Sequence, residues 1–445
     1  MSHPLLPSIA DPGEISYAEA QSALYLIGSL AQQSFYLFGS PIANSLSPVL
    51  HNSAFAALTL PHTFTPISAG LGDADLVRMR ELVSRSDFGG AALANPLKIT
   101  AMNLCRRVSH HARVIGAVNL LIPISTQGTP IPQASTDVNI SRNFNSNIGG
   151  RNEDGIYGLY GENTDWRGIK TCIARRINPA NAVTSSTTAL VIGAGGMSRA
   201  AIYALHQLGV ANILVWNRTR ENACALVDEL ATRLKDPGLG GAPFLQLGVL
   251  GGNLDAESVR QAFGPLPPPT IIISTIPASA SWSSAVPAGN DEPPSLDAVP
   301  DVGLCRDVLD LSSSGGVAVE LVCQPRKTPL LALVDQVNAF PASLHPSAPL
   351  TPTQNSIVTS NVHVLNQKGK QVGMKSGSTA TAEAFRGQPL MGGRTAPWVA
   401  VEGVEVLLEQ GYEEVRLWTS RRAPQARIRN EVLREFERHF QQGPA

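Results

Sequence analysis

A strand, a glycine-rich turn and a helix in direct succession restrict the fold of this chain more than any other feature. The apolar run Ala189–Ile192 is typical of a strand buried in a parallel sheet. An alanine-rich helix is predicted over Ser198–Leu208 and a second strand at Ile213–Trp216, which together predict a right-handed βαβ unit. Between the first strand and the helix stand the four residues Gly193, Ala194, Gly195 and Gly196.

This glycine turn is suited to a dinucleotide. Glycines allow the backbone N–H groups at a helix N-terminus to approach a pyrophosphate. Because the required strand and helix flank the turn, we interpret residues 193–196 as part of a dinucleotide site; a tight turn without a ligand is the alternative. Thr275, directly after a strand predicted at Ile271–Ser274, is a further candidate cofactor residue.

The residues after the second strand indicate which dinucleotide is bound. Enzymes that prefer NAD usually have Asp or Glu there, to accept hydrogen bonds from the ribose hydroxyls. This chain has Asn217, Arg218 and Thr219 instead. A guanidinium and a hydroxyl suit a 2′-phosphate, so NADP is predicted over NAD. The alternative is a solvated Arg218 beside a helix that Thr219 caps.

The length of 445 residues exceeds one hydrophobic core and predicts two domains. The expected class is α/β, with an N-terminal substrate domain, a Rossmann-type doubly wound dinucleotide-binding domain and C-terminal helices that return to the first domain. The predicted parts are a weakly patterned segment 1–33, a substrate domain 34–170 with an insertion at about 125–155, a dinucleotide domain 171–339, a Pro/Ser/Thr/Gly-rich loop 340–397, and C-terminal helices 398–445.

Hydrophobic spacing predicts the remaining elements. The predicted strands are Ser34–Gly39, Gly90–Leu93, Gly116–Ile122 and Val308–Leu311. The predicted helices are Ser47–Leu60, Lys98–Arg107, Asp165–Arg176, Glu221–Leu234, Trp398–Gln410 and Arg427–His439, with Val415–Thr419 between the last two.

Charge and cysteine content exclude several classes of function. The chain has 34 basic and 35 acidic residues, which favours neither nucleic acid nor an anionic membrane as a partner. Its five cysteines show no metal-ligand spacing, so reduced thiols and no metal site are expected. No run of about 18 apolar residues and no secretory signal pattern are present, so a cytoplasmic location is predicted.

Two charged residues are candidates for proton transfer. Lys98 follows a proline at a predicted helix start, where the helix dipole disfavours its charged form and suits it to proton exchange. Asp165 opens another predicted helix and could bind the same substrate hydroxyl and orient Lys98. Taken singly, a surface lysine and a carboxylate at a helix start would be the simpler interpretation.

The surrounding sequence favours the catalytic interpretation of the two residues. Several segments, in the same order along the chain, resemble the shikimate/quinate dehydrogenase family, and its fungal members in particular. The resemblance covers most of residues 35–335 and resumes from Trp398 to about Pro424. The matching segments are Gly39–Ile42, Asn44–Pro48, His51–Asn52, Pro96–Lys98, Gly116–Asn119, Gly161–Asp165, Gly193–Gly196, Asn217–Thr219, Thr328–Leu331 and Glu409–Gln410.

The resemblance implies an NADP-dependent enzyme that interconverts 3-dehydroshikimate and shikimate, with Lys98 and Asp165 as the catalytic pair. It implies that Ser45 and Ser47 hold the carboxylate of a small cyclic polyhydroxy acid. Asn119 and Gln410 would bind its ring hydroxyls. Such a substrate needs several neutral donors and acceptors in a confined pocket.

Departures from the family pattern leave other functions open. Ala94 stands where the family has a threonine that contacts the substrate, Leu120 replaces another threonine, and Cys323 replaces a common tyrosine. The alternatives are a quinate dehydrogenase, a relative with an altered cyclic substrate, or a non-catalytic sensor like the fungal quinate repressors. Retention of Lys98 and Asp165 favours the enzyme, because a pure sensor needs neither.

Overall fold

The computed structural model describes residues 32–125, 156–235, 246–251, 254–276, 304, 306–339 and 395–441. The described residues up to Asp165 and from Leu408 onward form one compact unit, and those from Trp166 to Leu407 form a second. Almost all of the predicted segment 1–33, the predicted insertion at about 125–155 and the predicted loop 340–397 lie outside the described residues.

The first unit contains a mixed six-stranded sheet. Its strands are β1 Ser34–Gly39, β2 Thr63–Ser68, β3 Phe88–Leu93, β4 Arg107–Val108, β5 Leu120–Ser125 and β6 Ile156–Glu162. The spatial order is β2-β1-β3-β5-β6-β4. Strand β1 pairs in parallel with β2 and β3, whereas β5 is antiparallel to β3 and β6.

Strand β1 is buried on both faces. Phe35 and Leu37 belong to one apolar cluster, and Tyr36 and Phe38 belong to another. Since side chains alternate between the faces of a strand, this division places one core on each side of the sheet. The helices of the unit are Ser47–Ala57, Asp73–Val83, Leu97–Thr100, His110–Ile115, the part of Gly403–Thr419 from Leu408 onward, and Gln425–Gln441.

A glycine allows two of these helices to approach closely. A Cβ atom added to Gly411 would lie 2.5 Å from Cδ1 of Leu50, closer than side chains tolerate. The Leu50 side chain of helix Ser47–Ala57 therefore lies directly on the backbone of helix Gly403–Thr419 at Gly411. One turn after Gly411 on helix Gly403–Thr419, Glu414 lies 2.9 Å from His51 of helix Ser47–Ala57.

The second unit has a fully parallel sheet. Its strands are β7 Thr188–Ile192, β8 Asn212–Trp216, β9 Gln246–Val249, β10 Ile271–Ser274, β11 Gly316–Glu320 and β12 Trp398–Val401. The order β12-β11-β10-β7-β8-β9 reverses beside β7, which is the doubly wound arrangement of dinucleotide-binding folds. The predicted α/β class with a Rossmann-type unit is thereby confirmed. The helices are Asp165–Arg176, Gly196–Leu208, Arg220–Lys235, Ala256–Phe263, Arg306–Asp310, Pro329–Ala339 and the start of Gly403–Thr419.

Two predictions in the second unit were wrong. The predicted strand Val308–Leu311 lies in helix Arg306–Asp310, where Arg306 and Asp310 pair at 3.1 Å, four residues apart. A short apolar run cannot be assigned by periodicity alone, and the neighbouring run Gly316–Glu320 is the strand.

The predicted helix Trp398–Gln410 begins instead as strand β12, and the helix is Gly403–Thr419. The Trp398 indole donates to Leu309 O at 2.9 Å, and the Asn338 side chain bonds the Trp398 backbone at both N and O. These tertiary contacts favour the extended conformation. Residues 415–419, predicted to separate two helices, belong to this one.

Two predictions in the first unit need correction as well. The predicted helix Lys98–Arg107 is helical over Leu97–Thr100 and 3₁₀ over Ala101–Leu104. It ends because Arg106 N donates to Leu159 O at 2.9 Å and the next two residues pair with β6. The predicted strand Gly116–Ile122 starts only at Leu120, since Gly116 takes a left-handed conformation (φ 73°) at the end of helix His110–Ile115.

Within the part of the chain that the structure describes, neither a membrane-spanning helix nor a metal-binding cluster is found. No described helix is long and apolar enough to cross a membrane. No group of three or more described His, Cys, Asp or Glu side chains is arranged to hold a metal ion. Cys105, Cys172, Cys224 and Cys323 are free thiols, and Cys305 lies outside the described residues.

Candidate functional site

Lys98 and Asp165 form a buried ion pair in the first unit. Lys98 Nζ lies 2.7 Å from Asp165 Oδ2, with exposed side-chain fractions of 13 % and 0 %. Asp165 opens helix Asp165–Arg176, where the helix dipole stabilises a carboxylate. Lys98 O accepts from Val118 N at 2.8 Å, which fixes the short helix that carries the ammonium group. The pair can hold a proton donor in one position and exchange its proton with a bound oxygen.

Asn119 connects this pair to the sheet. Its Nδ2 lies 3.0 Å from Asp165 Oδ1 and 2.8 Å from Thr164 Oγ1, and its Oδ1 accepts from Thr164 N at 2.7 Å. Its backbone oxygen accepts from Leu93 N, at the end of β3, and its backbone N–H donates to Glu162 O, at the end of β6. The structure therefore brings Lys98, Asn119 and Asp165, which are distant in sequence, into one hydrogen-bonded network.

Sequence reasoning assigned no role to three further members of this network, Thr164, Glu414 and His51. Glu414 Oε1 lies 3.0 Å from Thr164 Oγ1 and 3.2 Å from Asn119 Nδ2. Its other oxygen, Oε2, lies 2.9 Å from His51 Nε2. His51 stood in a matching segment, and Glu414 follows Gln410 by four residues, so it lies on the same helix face. That spacing was the available signal for Glu414.

The other predicted substrate residues lie at two helices of the same unit. Ser47 N is 3.3 Å from Ser45 Oγ, so both serines are adjacent at the start of helix Ser47–Ala57. Gln410 is half-buried on helix Gly403–Thr419, one turn before Glu414. A helix N-terminus favours an anion, which suits the role predicted for the two serines.

The glycine turn in the second unit is closely packed on one side and open on the other. Gly193 has φ 118°, and a Cβ atom there would lie 2.2 Å from Thr275 Oγ1. Thr275 Oγ1 is also 2.7 Å from Ser198 Oγ, whose oxygen accepts from Gly195 N at 3.0 Å. In contrast, a Cβ on Gly195 would have no atom within 4 Å. This open space at the start of helix Gly196–Leu208 fits a pyrophosphate, and Ala194 and Gly196 complete the turn.

The residues after β8 are mostly exposed. Asn217 is half-buried and its Nδ2 donates to Thr219 O at 2.8 Å, which shapes the turn into helix Arg220–Lys235. Arg218 and Thr219 are exposed. The guanidinium of Arg218 is thus accessible to a charged ligand at the carboxyl end of β8.

A buried carboxyl lies at the carboxyl end of β11. Glu320 lines a cavity with Ile192 and Ser274, at the ends of β7 and β10, and with Thr328, directly before helix Pro329–Ala339. Burial raises the pKa of Glu320 from 4.5 to about 7, although hydrogen bonds from Val322 N, Thr328 and Ser274 favour the charged form. Removal from water is therefore the larger effect, and the carboxyl retains its proton up to about neutral pH.

We expect this carboxyl to make stability depend on pH. The unfolded chain releases the proton of Glu320 near 4.5, whereas the folded chain retains it up to about 7. The free energy of unfolding should therefore fall as pH rises between these values, by about 3 kcal/mol, and remain lower above them. Glu320→Gln should remove that slope in urea unfolding from about pH 4 to about pH 8. Exposed Glu257 offers a control: if Glu320→Gln retains the same slope as Glu257→Gln, the expectation is wrong.

Comparisons with known proteins agree with this architecture. Residues 37–121 match the shikimate dehydrogenase substrate binding domain, and residues 173–236 match the shikimate / quinate 5-dehydrogenase model. The chain is 36 % identical over 337 residues to the pentafunctional AROM polypeptide of Malassezia globosa, covering 76 % of this chain and 17 % of that one. It is 32 % identical over 433 residues to the quinate repressor protein of Emericella nidulans, covering 96 % and 38 %.

Solved structures share the fold. The dehydroquinate dehydratase and shikimate dehydrogenase from S. pombe AroM is 27 % identical, with a TM-score of 0.54 over 97 % of this chain and 58 % of that chain. A shikimate 5-dehydrogenase from Thermus thermophilus, in complex with NADP(H) and shikimate, is 20 % identical, with a TM-score of 0.51 over 91 % and 99 %. The chain spans less than half the length of the two curated relatives above. Both domain models match in the predicted order, and the chain belongs to the shikimate/quinate dehydrogenase family.

Proposed function

We propose that this chain is an NADP-dependent dehydrogenase that interconverts 3-dehydroshikimate and shikimate. The observation that carries the proposal is the buried pair of Lys98 and Asp165, with 2.7 Å between Nζ and Oδ2. A lysine held in this way beside a hydroxyl or ketone can act as general base or acid. The match to both family domains supports the same reaction.

In the proposed mechanism, the turn Gly193–Gly196 would hold the pyrophosphate of NADP, and the cofactor would provide the hydride chemistry when bound. Lys98 takes the proton of the substrate hydroxyl during oxidation and returns it to the ketone oxygen during reduction. Asp165 keeps the ammonium group in position and balances its charge. The alcohol carbon thus loses a hydride, its oxygen loses a proton, and the carbon–oxygen bond becomes a ketone.

The substrate carboxylate is proposed to bind Ser45 and Ser47, and the ring hydroxyls to bind Asn119 and Gln410. The start of helix Ser47–Ala57 supports the first assignment, because helix N-termini favour anions. Ala94 remains the notable departure, since its methyl group cannot hydrogen-bond a ring hydroxyl. A ligand that lacks or rearranges that hydroxyl, such as quinate, is therefore the alternative substrate.

The turnover experiment uses purified protein with shikimate or quinate, each with NADP or NAD, and follows the reduced nicotinamide by absorbance. Turnover of shikimate with NADP is the expected result. Turnover of quinate alone would change the substrate within the same chemistry. Absence of turnover with both acids and both cofactors would overturn the dehydrogenase proposal.

The proposed cofactor site consists of the turn Gly193–Gly196, Thr275 and the segment Asn217–Thr219. Preference for NADP over NAD is assigned to exposed Arg218. Arg218→Ala should raise KM for NADP by about 10- to 100-fold, the value of one charge-assisted contact, and change KM for NAD little. Exposed Arg260, in the same unit, provides the control variant Arg260→Ala. An equal effect on both cofactors would contradict the role of Arg218.

A ligand-sensing function is the second candidate. It is favoured by the match to the Emericella nidulans quinate repressor protein, which extends over 96 % of this chain. A sensor would bind the cyclic acid without turning it over. Calorimetric titration with shikimate and quinate beside the turnover assay separates the two functions: binding without turnover favours the sensor, and turnover favours the enzyme.

A further inference from the structure

A buried carboxylate lies behind the Lys98–Asp165 pair, on the far side of Asn119. The side chain of Glu414 is only 4 % exposed, and that of His51, beside it, is 1 % exposed. The His51 ring stacks on Phe64, with centroids 4.4 Å apart, and meets Trp418 edge-on at 4.9 Å. A carboxylate removed from water in this way is costly unless its oxygens are bonded or its charge is balanced.

Both oxygens of Glu414 have polar neighbours. Oε1 receives the Thr164 hydroxyl at 3.0 Å and lies 3.2 Å from Asn119 Nδ2. Oε2 lies 2.9 Å from His51 Nε2, although the ring N–H direction does not make an aligned hydrogen bond. The contact with His51 is therefore close without being a hydrogen bond, and the hydrogen bonds of Glu414 are made at Oε1.

The directions of these hydrogen bonds give Glu414 control over Asn119. Because the Thr164 hydroxyl donates its single hydrogen to Glu414, its lone pairs remain available to accept from Asn119 Nδ2 at 2.8 Å. The Asn119 amide can then give its other hydrogen to Asp165 Oδ1, 3.0 Å away. Without an acceptor at Glu414, the Thr164 hydroxyl is free to rotate and to turn its own hydrogen toward the Asn119 amide. The amide then keeps its bonds to Thr164 N and Asp165 but loses the acceptor that directs its first hydrogen.

We propose that Glu414 is a positioning residue: its carboxylate orients Thr164 and Asn119 so that the Asn119 amide holds Asp165 against Lys98. The inference rests on the proposed function and deepens it, since the position of Asp165 determines where Lys98 presents its proton. It also limits Asn119 as a ligand for a substrate hydroxyl. Both Asn119 amide hydrogens have acceptors inside the protein, so Asn119 retains only an acceptor lone pair on Oδ1 for the substrate.

The test compares three substitutions that separate packing from hydrogen bonding. Glu414→Leu keeps most of the side-chain volume but offers no acceptor, and Glu414→Ala removes both. Glu414→Gln keeps an acceptor oxygen for Thr164. Neighbouring Glu413, which pairs with Arg416 at 2.5 Å on the same helix, offers Glu413→Gln as the matched control.

We expect kcat to fall by about 100-fold in Glu414→Leu and Glu414→Ala, because a displaced catalytic group typically costs that much. KM for NADP should change little, since none of these residues is proposed to contact the cofactor. KM for the acid should rise by less than kcat falls, because Asn119 is proposed to accept from a ring hydroxyl and keeps its bond to Thr164 N. Glu414→Gln should restore most of kcat, and Glu413→Gln should resemble the wild type. Full kcat in Glu414→Leu, or a Glu414→Gln protein as slow as Glu414→Leu, would overturn the inference.

A second readout does not depend on turnover. The side-chain amide protons of Asn119, assigned in ¹H–¹⁵N spectra with Asn119→Ala, should exchange slowly in the wild type and in Glu414→Gln, and faster in Glu414→Leu. Unchanged exchange in Glu414→Leu would overturn the inference even where the enzyme turns over. If the wild type turns over neither acid, the dehydrogenase proposal falls together with the catalytic role of Glu414, while the amide signal still reports whether Glu414 holds Asn119.

Discussion

Lys98→Ala is expected to lower kcat by about 1,000-fold, within the range that general acid–base groups contribute. The ammonium group of Lys98 is the proton donor in the proposed mechanism, and its only partial exposure means that water replaces it poorly. KM for the cyclic acid should change much less, because its carboxylate is proposed to bind at Ser45 and Ser47 and not at Lys98. Stopped assays with shikimate and NADP, together with calorimetric binding of the acid, measure both quantities.

The same substitution should also reduce stability, and a double variant separates the two effects. Lys98→Ala leaves the fully buried Asp165 without its ion-pair partner, which typically costs about 3–5 kcal/mol; the helix N-terminus and the Asn119 amide should reduce that cost. Adding Asp165→Asn removes the unpaired charge, so the double variant should recover stability in urea unfolding but no activity. Lys327→Ala, at an exposed lysine, is the control. A Lys98→Ala enzyme with near wild-type kcat would refute the assignment.

Gly193→Ala is expected to abolish cofactor binding by disturbing the second unit. A methyl group there would lie 2.2 Å from Thr275 Oγ1, and its φ of 118° is unfavourable for alanine. Overpacking costs about 1–3 kcal/mol and the backbone conformation about 1–3 kcal/mol more. Urea unfolding should show this loss of stability, and titration with NADP should show no binding at concentrations that saturate the wild type.

Substitutions at two other glycines separate the contributions of backbone conformation and of cofactor contact to the effect of Gly193→Ala. Gly209 also has a positive φ, 88°, but a Cβ there meets no atom within 4 Å, so Gly209→Ala tests backbone conformation alone. A Cβ on Gly195 points into the open space where a pyrophosphate would approach, so Gly195→Ala should weaken NADP binding without loss of stability. If Gly193→Ala retains both stability and NADP affinity, the close packing against Thr275 is not essential to the turn.

The sequence was sufficient to predict those helices and strands whose conformation depends on residues adjacent along the chain. The run Ala189–Ile192, the glycine turn and the helix after it form a contiguous pattern, and the observed strand Thr188–Ile192 and helix Gly196–Leu208 agree with it. Helix Asp165–Arg176 has the predicted bounds as well. Family membership followed from similar contiguous segments, and both domain models confirm it.

The predictions failed where distant contacts select between local alternatives. The run at Trp398 was compatible with a helix, but the bonds from Asn338 and to Leu309 favour a strand beside β11. A helical pattern from Lys98 was cut short because residues 107–108 join β6. Such contacts form between residues tens of positions apart, so local propensity cannot report them.

By itself, the sequence determined the doubly wound unit, the family and the identity of the two residues proposed for proton transfer, because each of these depends on short contiguous patterns. Only the tertiary structure decided that Lys98 and Asp165 are 2.7 Å apart and that Asn119, Thr164, Glu414 and His51 stand behind them. The Glu414 carboxylate is 295 positions from Asn119, and it reaches Asn119 because helix Gly403–Thr419 packs on helix Ser47–Ala57 at Gly411. The close approach of two helices is a property of the folded core, and no local pattern specifies which buried polar groups will meet there.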